Sequence, residues 1–208
     1  YKRALFCWER ALELDPSCED VVGQMARAYR AMGDTDRARE LFLEAIREDP
    51  GNVDILFEMG ELLGETEDLE GASTKYRQVL ELEPSHLDAR YAMAQVMLAS
   101  NNAEGALEHL RQVRERDASY PGVDLCMGSA YLKIGKYAQA RRYVERAVAE
   151  DPTNKDALML LGNCLLWLRR AGAASEQFRR VIALDADIAS AHHNLGVCCF
   201  LNREYEQG

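Results

Sequence analysis

Small, bulky and polar positions recur along this chain at intervals of 34 residues, which Pro16, Pro50 and Pro84 mark directly. Three columns of equivalent positions each keep one character. The first is entirely alanine, at Ala4, Ala38, Ala72, Ala106, Ala140 and Ala174. The second holds only alanine or glycine, at Ala26, Gly60, Ala94, Gly128, Gly162 and Gly196. The third is bulky, at Trp8, Phe42, Tyr76, Leu110, Val144 and Phe178. A fixed period of this length predicts a repeat protein whose units pack mainly on their neighbours.

Each unit is predicted to form two antiparallel helices. In segment 121–154, Gly135 interrupts the helical pattern and separates the first helix from the second. The second helix ends at Asp151, because the residue before a proline, here Pro152, is pushed out of helical geometry. Small residues in one column facing bulky residues in another would let neighbouring helices approach closely. The predicted fold class is therefore all-α.

Segment 121–154 also carries a known family pattern. Its residues at the diagnostic spacing are Met127, Gly128, Tyr131, Ala140, Val144, Ala147 and Pro152. The chain therefore resembles a tetratricopeptide repeat (TPR) protein. The resemblance implies an α-solenoid, a right-handed superhelix of antiparallel helix pairs.

The expected domain organisation is a single TPR array over 1–208. It comprises a half repeat at 1–18, five full repeats at 19–52, 53–86, 87–120, 121–154 and 155–188, and a half repeat at 189–208, whose second helix begins near Glu204. Because both ends cut through a unit, the chain is expected to be a fragment of a longer protein. The third repeat matches least well, since Arg90 and Arg114 stand in slots that are usually apolar.

Charge and motifs narrow the function classes. The net charge of −10 argues against nucleic acid and against docking on an anionic membrane. No apolar run approaches the ~20 residues that a membrane span needs. The chain contains no Gly-rich phosphate loop, no HExxH and no GxSxG motif, so we expect no enzyme activity and no cofactor.

The six cysteines follow neither CxxC spacing nor the framework of small secreted domains. Reduced thiols are expected, which favours a cytoplasmic location, although a targeting segment outside this sequence remains compatible with it. A metal site built from His192, His193, Cys198 and Cys199 is disfavoured, because neither histidine has a cysteine three or four residues away on its helix.

A second apolar stripe indicates where a partner could bind. In segment 121–154, Leu125, Ser129 and Leu132 lie at i, i+4 and i+7, roughly 120° round the helix from the packing residues. A surface helix usually carries polar residues there. The TPR resemblance implies that first helices line the concave groove, the usual binding surface of a solenoid. The predicted partner-binding residues are Phe57, Tyr91, Gln95, Leu98, Leu125, Ser129, Leu132, Met159, Asn163, Leu166, Trp167, His193 and Phe200.

Two interpretations of this stripe stay open. The side chains either bind a partner or pack on the second helices and on one another. The first interpretation makes the chain a protein–protein interaction scaffold for a peptide segment with apolar anchors. Two other functions are compatible with the sequence: a recruitment arm of a larger enzyme or assembly, and self-association through the C-terminal half repeat around Leu195–Leu201.

Overall fold

The computed structural model describes residues 1–15, 18 and 20–206, and the side chains of these residues except 203–206. The described residues form twelve α-helices and no strand, which confirms the predicted all-α fold of stacked helix pairs. The chain divides into two compact units, Tyr1–Ser100 (unit 1) and Asn101–Gly208 (unit 2). No described helix combines the length and apolar character needed to cross a membrane.

The described residues of unit 1 form six helices, and α2 packs on α3 as α4 packs on α5. Their bounds are α1 Lys2–Leu14, α2 Val21–Ala31, α3 Thr35–Glu48, α4 Val53–Glu65, α5 Leu69–Leu82 and α6 Leu87–Ala99. Side chains from all five helices after α1 meet in one buried cluster, which includes Ala26, Phe42, Met59, Tyr76 and Met93. Each pair is thus joined to the next by a continuous core, as expected for a repeat protein.

Unit 2, as far as the structure describes it, also forms six helices, and α8 pairs with α9 as α10 pairs with α11. Their bounds are α7 Ala103–Arg116, α8 Val123–Lys133, α9 Tyr137–Glu150, α10 Lys155–Trp167, α11 Ala171–Leu184 and α12 Ala189–Glu206. The remaining neighbours in the stack are α7 with α8, α9 with α10 and α11 with α12. Leu158, Val181 and Ala191 form a buried cluster across α10, α11 and α12.

The predicted fit of small residues against bulky ones is confirmed in both units. A Cβ atom added to Gly60 would lie 2.6 Å from the Tyr76 ring, and one added to Gly162 would lie 2.5 Å from the Phe178 ring. Ala38, Ala72, Ala106, Ala140 and Ala174, from the all-alanine column, are completely buried. The close approach of first and second helices therefore depends on the smallest side chains.

Polar side chains cap the first helices α4, α6 and α10, and a left-handed turn separates first from second helices. The side chains of Asn52, His86 and Asn154 accept hydrogen bonds from the backbone N–H three residues on, at 3.1, 3.1 and 2.9 Å. Such caps satisfy N–H groups that lack a partner in the first turn of a helix. Positive φ values recur every 34 residues in the turns, at Gly33, Glu67, Asn101, Gly135 and Arg169.

Near its two ends, the chain differs from the sequence prediction or lies outside the described residues. A second helix was expected to begin near Glu204, but this is wrong: α12 continues without interruption from Ala189 to Glu206. Pro16, the first proline of the predicted period, lies outside the described residues. The division into one array with a half repeat at each end stays a prediction.

Candidate functional site

All predicted partner-binding residues lie on first helices. Four are in unit 1, with Phe57 on α4 and Tyr91, Gln95 and Leu98 on α6. The other nine are in unit 2, on α8, α10 and α12. We call the corresponding surfaces the first-helix face of unit 1 and the first-helix face of unit 2, and they differ in chemistry.

In unit 1, the predicted apolar residues are largely engaged within the chain. The Phe57 ring packs near the rings of both Tyr76 and His86, whose centroids are 5.7 and 5.1 Å away. Leu98 is only 8% exposed, and Tyr91 is half-buried. Gln95 is the exposed member of this group. On this unit, the geometry resembles the alternative in which the stripe packs on the protein's own side chains.

Ion pairs join the first helices α2 and α4 of unit 1. The Nε of Arg27 donates to both carboxylate oxygens of Glu58, at 2.7 and 2.9 Å. Arg30 donates from Nη1 to Glu61 at 2.8 Å, and from Nε and Nη2 to Glu65 at 3.2 and 2.5 Å. These residues line an open depression of about 400 Å³. The 34-residue period does not predict this network, because its partners lie 31 or 35 residues apart and therefore in different columns.

The network keeps its charges in opposite-sign pairs. The hydrogen bonds that Arg30 donates to Glu65 raise the pKa of Arg30 well above its ordinary value, against the opposing effect of burial and with further support from Glu61. Burial alone would lower the pKa of Arg27, but the hydrogen bond and charge of Glu58 outweigh it, so that the pKa rises. Next to this network, burial raises the pKa of Tyr76 to about 12. Arg27 and Arg30 therefore stay charged at neutral pH, and the Tyr76 hydroxyl stays protonated.

In unit 2, the first-helix face presents exposed aromatic and half-buried aliphatic side chains. Trp167 ends α10 and is 63% exposed, and its ring stacks on Tyr137 with centroids 5.1 Å apart and an interplanar angle of 5°. Phe200 on α12 is 64% exposed. The half-buried members of the predicted set are Leu125, Ser129, Leu132, Met159, Asn163 and Leu166, and His193 is exposed. Trp167 is thus both accessible and held in position.

Some members of the unit 2 face also stabilise the unit. Met159 packs against the cluster of Leu158, Val181 and Ala191. The Oδ1 of Asn163 accepts a hydrogen bond of 3.0 Å from the side-chain amide of Asn194, which ties α10 to α12. Asn163 is therefore partly satisfied within the chain, whereas the rings of Trp167 and Phe200 remain largely in solvent.

Metal and thiol chemistry have little basis in the described residues. No group of three or more His, Cys, Asp or Glu side chains among them is placed to hold a metal ion. All six cysteines are free thiols, and Cys164 and Cys198 are buried. Burial raises the pKa of Cys164 to about 11 and also raises that of Cys198, so both are poor nucleophiles at neutral pH.

Solved structures with similar folds are helical repeat proteins. MamA from Desulfovibrio magneticus RS-1 is 22% identical with a TM-score of 0.75, covering 82% of this chain and 96% of that one. PilF from Pseudomonas aeruginosa is 21% identical with a TM-score of 0.76, covering 89% of this chain and 85% of that one. YrrB is 17% identical with a TM-score of 0.74, covering 89% and 96%. At these identities, the similarity shows the fold alone.

Sequence models of the repeat match most of the chain. No curated protein matches it in sequence. Two models described as tetratricopeptide repeat do match, one over residues 65–124 and 131–207 and the other over residues 19–62. The first alone spans more than half of the chain. With stacked helix pairs that repeat every 34 residues, this chain belongs to the tetratricopeptide repeat family.

Proposed function

We propose that the chain is a non-catalytic protein-interaction scaffold that binds a partner segment on the first-helix face of unit 2. TPR proteins typically bind peptides or proteins, and the structurally similar YrrB is described as having an unusual peptide-binding site. The partner segment would be an amphipathic helix or an extended stretch that buries apolar anchors against α8, α10 and α12.

The observation that carries this proposal is the stacked and exposed Trp167. An exposed tryptophan is free to bury a large apolar area when a partner binds, and aromatic residues dominate the energy of many interfaces. Stacking on Tyr137 limits its rotamers before binding, which lowers the entropic cost of association. Leu132 and Leu166 supply half-buried aliphatic contacts on the neighbouring first helices.

The expected affinity is moderate. Burial of one large apolar side chain contributes about 1.5–3 kcal/mol. Three or four such anchors, less the cost of ordering the segment, give an affinity near −8 kcal/mol, on the order of micromolar. The ion-paired face of unit 1 would contribute less, because a partner would have to replace the existing contacts of Arg27 and Arg30.

The test uses the two tryptophans of the chain. Peptides are first selected from a displayed library on the full chain, and their binding is then measured by calorimetry. A Trp8→Phe background leaves Trp167 as the sole tryptophan, and its fluorescence should shift when a selected peptide binds. Selected peptides should carry apolar anchors.

Two variants distinguish this face from other surfaces. Leu132→Glu should abolish binding while helicity by circular dichroism stays unchanged. The matched control is Leu184→Glu, because Leu184 is also a leucine of unit 2 but is an exposed residue at the end of second helix α11. Equal binding by both variants, with no Trp167 shift, would contradict the proposal.

The exposed Phe200 favours a second candidate function, self-association through α12. Its side chain is 64% exposed, and a second copy could bury it. Sedimentation at several concentrations should then show association that Phe200→Glu removes. A chain that stays monomeric at all concentrations would exclude this candidate.

A further inference from the structure

A polar pocket in unit 2 lies outside the first-helix face. It has a volume of about 120 Å³ and is lined by Arg114 from α7 and by Gln139, Arg142, Tyr143 and Arg146 from α9. Three arginines around one small pocket are unexpected in a chain with a net charge of −10. None of its lining residues belongs to the proposed partner-binding set.

Beside this pocket, the buried carboxylate of Asp124 and its arginine partners replace an apolar contact that is found two repeats earlier and one repeat later. One repeat earlier, the slots of Arg114 and Asp124 hold Leu80 and Arg90. The same slots hold Ile46 and Leu56 two repeats earlier, and Val148 and Leu158 one repeat later. The Ile46 and Leu56 side chains share an apolar cluster, as do those of Val148 and Leu158. Here Asp124 is only 6% exposed, and its two carboxylate oxygens lie 3.7 Å from Nε of Arg114 and 3.2 Å from Nε of Arg146.

Stability does not explain this replacement. A buried ion pair usually stabilises a protein no more than well-packed apolar residues of similar size. Asp124 is also incompletely satisfied, since its Oδ1 has no hydrogen-bond partner among the described residues. A polar group placed in a core slot without a gain in stability is a common mark of a functional site.

The effect of Asp124 is to position two guanidinium groups. Arg114 and Arg146 both stack on the ring of Tyr143, with Cζ atoms 5.0 and 4.6 Å from its centroid. Tyr143 in turn stacks on Tyr131, with ring centroids 5.2 Å apart and an interplanar angle of 12°. The two cations are therefore held by an aromatic ring and a buried carboxylate before any ligand arrives.

Arg142 completes the charge of the pocket. It is exposed, and no hydrogen bond or ion pair engages it within the part of the chain that the structure describes. The three guanidinium groups and the carboxylate of Asp124 together give the pocket a net charge of two positive charges. A phosphate monoester carries about −1.5 to −2 charges at neutral pH, whereas a carboxylate carries one. The pocket volume corresponds to that of about four water molecules in liquid water, which is enough for a phosphate group with its four oxygens.

We propose that this pocket binds a phosphate monoester. The planar forks of its arginines match phosphate oxygens in a bidentate manner, and Gln139 offers a further amide donor. The phosphate could belong to a phosphorylated peptide segment or to a small-molecule ester. The shared chemistry is a dianion recognised by Arg114, Arg142 and Arg146.

Calorimetry on the full chain tests the proposal with defined probes at low ionic strength. The probes are inorganic phosphate, O-phosphoserine, and a short Gly-Ser peptide in three forms, with one phosphoserine, with serine, and with glutamate at that position. Phosphate-bearing probes should bind and the serine peptide should not.

Tighter binding of the phosphopeptide than of O-phosphoserine would identify a peptide source, and equal binding would identify a small-molecule source. Absence of binding by every phosphate-bearing probe, or equal binding of the glutamate peptide, would overturn the proposal.

Variants assign the binding to this pocket. Arg142→Gln should weaken binding about tenfold or more, because it removes a charge-assisted contact without disturbing the Asp124 pairs. Arg179→Gln is the matched control, since Arg179 is an exposed arginine one helix pair further on, on α11. Equal affinity of the wild-type chain and Arg142→Gln would reject the assignment.

A double variant separates binding from folding. Arg114→Ile with Asp124→Leu recreates the apolar contact present at Ile46 and Leu56. It should keep or raise the unfolding midpoint while phosphate binding falls at least tenfold. A variant that retains full phosphate affinity would show that the buried pair has no positioning role and would overturn this part of the proposal; should it fail to fold, the Arg142→Gln comparison still decides.

Discussion

The Cβ atom that Gly162 lacks would lie 2.5 Å from Cε1 of Phe178, a ring with no exposed surface. Real Cβ atoms essentially never approach another atom this closely, so the ring or the helices would have to shift. The same relationship joins Gly60 to Tyr76 in unit 1. The distance between first and second helices in these pairs is therefore set by a missing side chain.

Substitution of this glycine should destabilise the chain. We expect Gly162→Ala to lower the free energy of unfolding by about 1–2 kcal/mol. Overpacking costs about 1–3 kcal/mol, and the better helix propensity of alanine offsets less than about 1 kcal/mol of this. Gly196→Ala is the control, from the same column and also inside a helix. No atom of the described residues lies within 4 Å of its added Cβ, so stability should rise by about 0.5–1 kcal/mol. Urea unfolding measures both, and a rise for Gly162→Ala would contradict the packing argument.

At a left-handed turn, substitution of an arginine by glycine should raise the free energy of unfolding. Arg169 has φ 58°, in the slot where Gly135 has φ 74°. A left-handed conformation costs a residue with a Cβ atom roughly 1–2 kcal/mol, partly offset by the greater freedom of glycine in the unfolded chain. Arg169→Gly should therefore raise the free energy of unfolding by about 0.5–1 kcal/mol, and Gly135→Ala should lower it by about 1. Thermal melts that shift in the same direction for both would refute the explanation.

The columns of equivalent residues predict contacts between a small and a bulky column within one repeat. They do not predict contacts between side chains at non-equivalent positions of neighbouring repeats. Gly162 and Phe178 each belong to a column, so their contact could be expected from the sequence. The Arg27–Glu58 pair could not, since it depends on the angle between α2 and α4 and on long side-chain rotamers. The sequence also marked Arg114 as an exception in an apolar slot. Only the structure shows that Asp124 is its partner.

Side-chain burial was the least predictable part of the candidate site. Phe57 and Met159 occupy the same column, and both pack on their own unit. Trp167, which lies eight residues after Met159 on the same helix α10, is instead mostly in solvent. The difference arises from local contacts, such as the His86 ring that covers Phe57, and the period does not encode these. Sequence periodicity thus selected the helices of the site but not the exposed side chains within them.

Carboxylates at the ends of second helices predict a defined pH response. Asp151 accepts hydrogen bonds from the hydroxyl and the backbone N–H of Thr153, at 2.7 and 2.9 Å, and these lower its pKa from the ordinary 3.8. Because the folded-state pKa is the lower one, the stabilisation is complete above about pH 4 and is lost as pH falls through the folded pKa.

The variant Thr153→Val removes the hydroxyl bond and keeps the backbone bond. The pKa of Asp151, followed by carbonyl carbon NMR, should rise toward its ordinary value. Asp117 is the internal control, because Ser119 lowers its pKa in the same way and is untouched by the substitution. An unchanged Asp151 titration in the variant would show that the hydroxyl bond is not formed in solution.

Thiol accessibility provides a fourth prediction. Cys7, Cys18 and Cys199 are exposed, whereas Cys164 is buried with a pKa of about 11. At pH 8 only about one in a thousand Cys164 thiols would be ionised even if reagent could reach it. A disulfide reagent should therefore label the exposed three first and Cys164 only as fast as unit 2 opens. Mass spectrometry of labelled peptides measures the order, and early labelling of Cys164 would contradict its burial.

The ion pairs of unit 1 should differ in strength according to their exposure. Arg27 and Glu58 are 31% and 24% exposed, whereas Arg39 and Asp68, at 3.0 Å, are 49% and 41% exposed. Less solvent screening should give the first pair a coupling energy of about 1 kcal/mol and the second about 0.3 or less. Double-mutant cycles with Arg27→Gln and Glu58→Gln, and with Arg39→Gln and Asp68→Asn, measure both coupling energies by urea unfolding.

Raising the salt concentration should reduce the Arg39–Asp68 coupling energy proportionally more, because exposed charges are screened more strongly. Equal couplings at low salt would show that the Arg27–Glu58 contact is no more protected from solvent than a surface pair.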